Sequence, residues 1–474
     1  MIRRIKPRRP RYGAMAAGVA IISATALAAC GGSSGGSGSS STGSSTKQLT
    51  VLYSNNYVFN SDALAKQWWT GIAKQWKKLY PNVKLNLLGT GGTDVDLMNK
   101  AGVMFRSSST TPDVIQLPTT YVGEFAGSGY LAPLNKFVSG ASAPAFWTGM
   151  PQGVQQMSSI GGNVYAVNAG NNDSAILYNK TMLAKAGIKL PWQPKTWQDI
   201  LTAAEAVKKH DPGVWPLWMA AGVAAGPTNV LQGIGNLIDG STNPVMFDTK
   251  TKKWVTNSPG LTATLQFYKT VFADGLNAPT SQLFRTDSVG QPPLLMKQGK
   301  LAISLGSNWY PTVWAAPTSA APWKAGATTV GVAPIPTENG QGPGAASTIG
   351  GWAFAVAKSS PNSTMAWNFI KLAENPQNQL NTAIWSGFVP PDTSVGELAP
   401  FVNFAPPFQA AFNQYSKYGV PLPNDTNFTV YARALNTVTG DFAQNPGTSI
   451  SSALAKMSSL VTQQLGANSV ESQK

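Results

Sequence analysis

Apolar and polar positions follow two periods along this chain. Leu49-Thr50-Val51-Leu52-Tyr53 is an apolar run of strand length, closed by the polar turn Ser54-Asn55-Asn56. From Ser61 onward Leu64, Trp68, Ile72 and Trp76 recur at every fourth position. Lys66, Lys74, Lys77 and Lys78 fall off that stripe and Pro81 ends it, which predicts a helix. Val83, Leu85 and Leu87 then alternate as a strand, residues 93–106 read as a second helix, and Val114-Ile115-Gln116-Leu117 has the character of a buried strand. This β-α-β-α-β order predicts an α/β layer with a largely parallel sheet, whose ligand site lies beyond the carboxyl ends of the strands. On that scheme the loop holding Asn55 and Asn56 and the loop 119–121, with Tyr121, face one crevice. Farther on, Thr196 and Asp199 form a capping box before Ile200, Leu201, Ala204 and Val207. Asn362 and Ser363 precede a helical stripe of Ala366, Phe369, Ile370 and Ala373. No repeat of fixed period is present, so a solenoid or propeller is not expected.

Composition changes the picture mainly at the N-terminus. The chain has 474 residues, a net charge of +15, one cysteine and one histidine. Those single residues exclude a disulfide framework, a Cys/His zinc site and any histidine-dependent triad not built on His210. Six basic residues (Arg3, Arg4, Lys6, Arg8, Arg9, Arg11) fall in the first 30 positions with no acidic one, leaving 29 Lys and Arg against 20 Asp and Glu in the rest. The basic excess is therefore weak evidence for nucleic acid, and no such partner is expected. A basic start followed by the apolar stretch 14–29, too short to span a membrane, reads as a signal peptide over residues 1–29. Leu27-Ala28-Ala29-Cys30 resembles the bacterial lipobox, which implies lipidation of Cys30 at a new N-terminus; the alternative is a cysteine near an ordinary cleavage site. Residues 31–46 are all Gly, Ser or Thr, so 30–47 is expected to be a flexible tether with a reach on the order of 20–25 Å. The paired arginines leave Sec and twin-arginine export both open. No later segment approaches 18 uninterrupted apolar residues, which places the expected globule on the extracytoplasmic face of a cell membrane, held by its lipid.

Four ordered blocks resemble a known family. The first is Pro112-Asp113-Val114-Ile115, Phe125-Ala126 and Gly129 through Leu134. The second runs from Gly162-Asn163-Val164-Tyr165-Ala166-Val167 through Leu177-Tyr178-Asn179-Lys180 and Ala186-Gly187-Ile188 to Pro194-Lys195-Thr196-Trp197. The third joins Met296 and Gly299 to Gly306-Ser307-Asn308-Trp309, and the fourth joins Gly350-Gly351-Trp352 to Phe369-Ile370 and Gly387-Phe388-Val389-Pro390. Together they are similar to bacterial extracellular solute-binding proteins of family 1. Asn168 stands where the second block usually has proline, and the acidic residue common in the first strand-to-helix loop is absent.

The resemblance implies the binding lipoprotein of an ABC importer, a monomer without cofactor or metal that is not an enzyme. Its fold would be α/β and two-lobed, periplasmic-binding-protein-like, each lobe a mainly parallel sheet flanked by helices, the lobes joined by about three crossovers. Crossovers near 168–173, 304–309 and 349–352 would assign 48–168 plus 309–350 to an N-terminal lobe and 171–306 plus 352–474 to a C-terminal lobe. The implied partners are a carbohydrate ligand and the permease subunits.

A sugar presents hydroxyls around a C–H face, so its site needs planar amides or carboxylates and aromatic rings. Trp309 and Trp352, beside Gly351 at the expected crossovers, are stacking candidates, with hinge packing as the alternative. Asn171, Asn172 and Asp173 occupy the first crossover, and Asp173 suits hydroxyl recognition or a turn cap. Tyr121, Trp218 and Trp385 are further candidates that equally suit a core, while the segment 215–218 reads as a loop. Enzymatic patterns are weak. Gly31-Gly32-Ser33-Ser34-Gly35 fits G-x-S-x-G only inside the linker, and no P-loop occurs. Asp94 and Glu124 are open in principle to glycosidase chemistry, but Asp94 reads as first-turn helix charge. A non-sugar polar solute and a lipid-anchored glycan hydrolase stay as alternatives.

Overall fold

The computed structural model describes residues 46–55, 58–59, 61–315, 319 and 321–473. The signal peptide, Cys30, nearly all of the tether and Asn56 lie outside the described residues. The expected opening elements are present: β1 (Gln48–Ser54), α1 (Asp62–Leu79), β2 (Lys84–Thr90), α2 (Asp94–Met104) and β3 (Val114–Pro118). β1 pairs in parallel with β2 and with β3. α1 starts where the Ser61 hydroxyl accepts the Leu64 N–H, and it buries Trp68, Ile72 and Trp76. The Trp76 indole donates to the Val83 carbonyl at 2.9 Å, so the aromatic face of the helix also fixes the turn into β2.

The middle of the chain builds a second sheet. β4 (Ala166–Asn172) and β5 (Ser174–Asn179) form one extended run interrupted at Asp173. Next come α3 (Trp197–His210), β6 (Trp215–Trp218), β7 (Leu301–Ser307), β8 (Val330–Ala333) and β9 (Ala345–Val356). The capping box of Thr196 and Asp199 is formed at α3. The second sheet has the order β8-β5-β7-β6, in which β7 runs antiparallel to β5 and parallel to β6. β9 runs antiparallel to both β3 and β4. Both sheets are thus mixed. The parallel expectation holds within β1–β3, where β-α-β periodicity signals it, and also between β6 and β7, but not for the long strands whose partners are remote in sequence. Residues 215–218 form strand β6 rather than a loop, because proline is tolerated at its second position on the edge of the sheet.

Strand pairing also corrects the expected division of the chain. β8 pairs with β5, so part of 309–350 belongs with the second sheet. Trp352 through Val356 pair with β3, and α4 (Ser363–Ala373) lies against α1, with Trp76 and Phe369 ring centroids 5.9 Å apart. The segment after 352 therefore returns to the first sheet. A strand of 12 residues extends about 40 Å, long enough to serve both neighbourhoods. α5 (Pro376–Ser386) follows, and Val389 bridges back to Asn171 of β4. The chain then closes with α6 (Phe428–Gln444) and α7 (Ile450–Leu465), which pack against the helix Pro259–Ala273.

Candidate functional site

The carboxyl end of β3 meets the crossover strand β9 where Pro118 pairs with Trp352, the end of a parallel layer at which a ligand site is expected. A cavity with about 550 Å³ of empty space, its solvent-open part included, lies there. Its first wall holds Pro118 at the end of β3, Thr120, and Asp94 at the start of α2. The facing wall holds Thr228, Leu231 and Gln232, with Val289 and Gly290 at one side. Asn172, Trp309, Gly351, Trp352 and Phe388 come from the crossover segments.

Backbone geometry places the rings. Gly351 has φ +151°, and a Cβ there would lie 2.0 Å from the Gly170 carbonyl oxygen. Only glycine allows β9 and β4 to approach so closely, and the register shifts between Trp352 and Ala353, the kind of irregularity that re-aims a side chain. Gly387 is the left-handed cap of α5, at φ +80°. A Cβ on it would meet the Asn308 carbonyl and the Trp309 Cα, both at 2.9 Å. This packing sets Phe388 beside Trp309, whose ring also meets Tyr310 edge-on at 4.6 Å.

A polar network supports the aromatic groups. Asn308 donates through Nδ2 to the Asn171 carbonyl at 2.8 Å and through its backbone to the Asp173 carbonyl at 3.1 Å. The Ser307 hydroxyl meets Asn172 Oδ1. The Ser174 backbone donates to Ser347 Oγ at 2.9 Å, and the Thr348 hydroxyl donates to Asp239 Oδ2 at 2.6 Å. Burial pushes the Asp239 carboxyl up to about 7, against the lowering effect of that bond.

Asp94 spans the cleft. Its Oδ1 accepts the Val95 N–H at 3.0 Å and its Oδ2 accepts the Thr228 hydroxyl of the opposite wall at 2.5 Å. It is 1% exposed, and burial pushes its carboxyl up to about 6, with the Thr228 bond opposing the rise. Asp94 does lie in the first turn of α2, as expected, within a capping box formed by Thr93 and Asp96; the tertiary contact with Thr228 has no local signal. Gln232 was likewise invisible, sitting beside the backbone irregularity at Gly233. Phe388 had a signal, since it follows Gly387 in the fourth block.

The expected residues divide. Asn172, Trp309, Gly351 and Trp352 line the cleft. Asn171 and Asp173 do not; they lie in the crossover behind it, where Asp173 Oδ2 is buried without a hydrogen-bond partner among the described residues and desolvation pushes the carboxyl up to about 7. Asn55 lines a separate pocket with Tyr53 and Trp69 beside α1. Tyr121 lines an adjoining groove with Glu124 and Arg433. Trp218 is core in β6, and Trp385 is half-buried in α5 outside the cleft lining. An aromatic residue earns its place in a site through tertiary position, which local spacing does not encode.

The two-sheet architecture with a cleft at the crossovers defines a two-lobed binding-protein fold. Residues 60–380 match the bacterial extracellular solute-binding protein family, and the chain belongs to that family. An uncharacterized ABC transporter extracellular-binding protein of Pyrococcus horikoshii is 27% identical over 168 residues, which cover 31% of this chain and about a third (35%) of that relative. The GacH receptor of Streptomyces glaucescens GLA.O is similar in structure with a TM-score of 0.69 at 20% identity, covering 88% of this chain and 98% of that one. Maltose-bound MalE3 of T. maritima gives 0.70 at 18% identity over 88% and 100% of the two chains. The Thermus thermophilus maltotriose binding protein gives 0.68 at 18% identity with the same coverage. At these identities the likeness shows the fold.

Proposed function

We propose that this protein is the extracytoplasmic receptor of an ABC importer, capturing a sugar or oligosaccharide between its two lobes and delivering it to a permease. The carrying observation is that Trp309, Trp352 and Phe388 line one cleft together with the amides of Asn172 and Gln232 and the hydroxyls of Thr120 and Thr228. Ring faces suit a sugar's C–H surface, and amides and hydroxyls match its alternating donors and acceptors. The ligands named for the structural neighbours above, acarbose, maltose and maltotriose, are of the same chemistry. Closure would turn about the band formed by 172–174, 307–308 and 350–351. A ligand shifts that equilibrium only by contacts it makes in the closed state alone. Cys30 would carry the lipid that keeps the receptor at the membrane, with 31–46 as its tether.

Purified protein lacking the leader, titrated with neutral oligosaccharides and followed by tryptophan fluorescence and thermal unfolding, tests the reading. Saturable quenching and a raised Tm with the glycan recovered intact are expected. Turnover of the glycan would establish a hydrolase instead, and a response confined to non-sugar solutes would redirect the ligand. For the anchor, Cys30→Ala is expected to release the protein from the membrane fraction; retention there would refute it.

A further inference from the structure

The charge distribution around the cleft is one-sided. Asp94 is the single charged side chain in its lining, and no Lys, Arg or His lines it among the described residues. The three ion pairs among those residues, Lys185–Asp211, Arg285–Asp287 and Lys456–Asp441, lie elsewhere. Asp94 is buried, held by the Thr228 hydroxyl and by backbone N–H groups of its own helix turn with no cation beside it, and a carboxylate accepts up to about four hydrogen bonds. Its further acceptor positions are available to whatever fills the cavity.

We infer that the cleft discriminates by ligand charge: Asp94 selects neutral and amine-bearing glycans and rejects glycans that carry a carboxylate, sulfate or phosphate. This rests on the reading of the cleft as a sugar site. A buried, unpaired carboxylate interacts strongly with a second charge because little water screens it. A ligand ammonium would supply the missing counter-ion and donate to Asp94, whereas an anion would meet like charge with only neutral amides and hydroxyls to receive it. The groups facing Asp94 reinforce this asymmetry. Asp96 on its own helix adds negative charge. Tyr121, from the adjacent turn, stays protonated beside Asp94 and Glu124. The opposite wall contributes the uncharged Gly226 and Thr228. Arg433 is exposed in the adjoining groove, outside the cleft lining. The raised carboxyl of Asp94 adds a pH signature, because acidification toward pH 5 neutralises the group that rejects anions.

Three matched triads test the inference on the mature protein: glucose, glucosamine and glucuronate, and the galactose and mannose counterparts, each as free sugar and as 1,4-linked trimer. Calorimetric titration at pH 7.5 is expected to place the uronate at least about tenfold weaker than the neutral member of any triad that binds. The amine is expected at equal or tighter affinity. The gap should narrow at pH 5 and in Asp94→Asn; if that variant folds poorly, the pH series on the unaltered protein carries the same test. Uronate binding as tight as or tighter than the neutral sugar at pH 7.5 overturns charge selection while leaving a sugar receptor standing, as does a gap indifferent to both pH and Asp94→Asn. Absence of binding by every member fails the sugar reading itself, and the inference with it.

Discussion

Two equally buried regions of this molecule are built from opposite chemistry. Under α1, Trp68, Trp76, Phe354 and Phe369 pack ring against ring, with Trp68 and Phe354 stacked at 6.4 Å and 9°. At the crossovers Asn171, Asn172, Asp173, Ser174, Ser307 and Asn308 are also buried, held by directional hydrogen bonds. Apolar packing is dense and has one low-energy arrangement, so it makes a rigid block. A polar network specifies one arrangement only where every member is satisfied, and the unpartnered Oδ2 of Asp173 leaves this one partly satisfied. On the proposed closure, the contrast separates a scaffold that sets positions from the band about which the lobes would turn.

The largest effect is expected in the scaffold. Trp76→Ala removes a fully buried ring and its bond to Val83 and should cost about 3–5 kcal/mol of stability. Urea denaturation measures it, and ligand affinity well below the new midpoint should be unchanged. An affinity loss larger than the stability loss would join the two regions and break the comparison. Gly351→Ala reverses the pattern. A Cβ 2.0 Å from the Gly170 carbonyl at φ +151° forces β9 away from β4, at about 1–3 kcal/mol in stability. Because Trp352 follows immediately, the affinity should fall by more than the stability change alone explains. Trp309→Ala and Trp352→Ala sharpen the point from the ligand side: each should cost about 2 kcal/mol in binding, and retention of affinity by both would remove the rings from the site.

Legibility in the sequence follows the same divide. The elements of the first sheet, and α3 beside the second, were readable because their determinants are local: the four-residue stripe of α1, the Ser61 cap, and the Thr196/Asp199 box. Trp309, Gly351 and Trp352 were readable through the ordered blocks of the family. Asp94 was not, because its partner Thr228 is 134 positions away and its neighbours form a self-sufficient helix cap. The lobe assignment of 330–333 and of 352–373 differs from the strand pairing for a related reason. A buried apolar strand has the same pattern whichever sheet it joins, and β9 pairs with both β3 and β4.

Within the band itself, Asn308→Ala deletes one of two donors to the Asn171 carbonyl, which keeps the Val389 N–H at 3.0 Å, and should cost about 0.5–1.5 kcal/mol, the net worth of one hydrogen bond. The effect should be shared between stability and the cleft, because Asn308 is joined to both β4 and Trp309.

The last expected effect, spread over several carboxyls, is the pH dependence of this band. Asp173 titrates near 7 in the folded protein, raised by desolvation, and near 4 in the unfolded chain. Between those values the folded state holds a proton that the unfolded state has released. The associated stability is therefore fully present below about pH 4, declines as pH rises through 7 and is level above it. Asp94 and Asp239, raised to about 6 and about 7 by the same cause, act with the same sign. Asp248 and Asp287 are lowered by hydrogen bonds, so they stay ionised down to pH 5 and do not oppose the trend within that window. The unliganded protein should thus melt at a higher temperature at pH 5.5 than at pH 8, and Asp173→Asn should flatten the slope. A Tm that rises with pH across that interval would mean that Asp173 is solvated or paired in the folded state, and the crossovers would then differ from the aromatic block in composition without differing in how well their groups are satisfied.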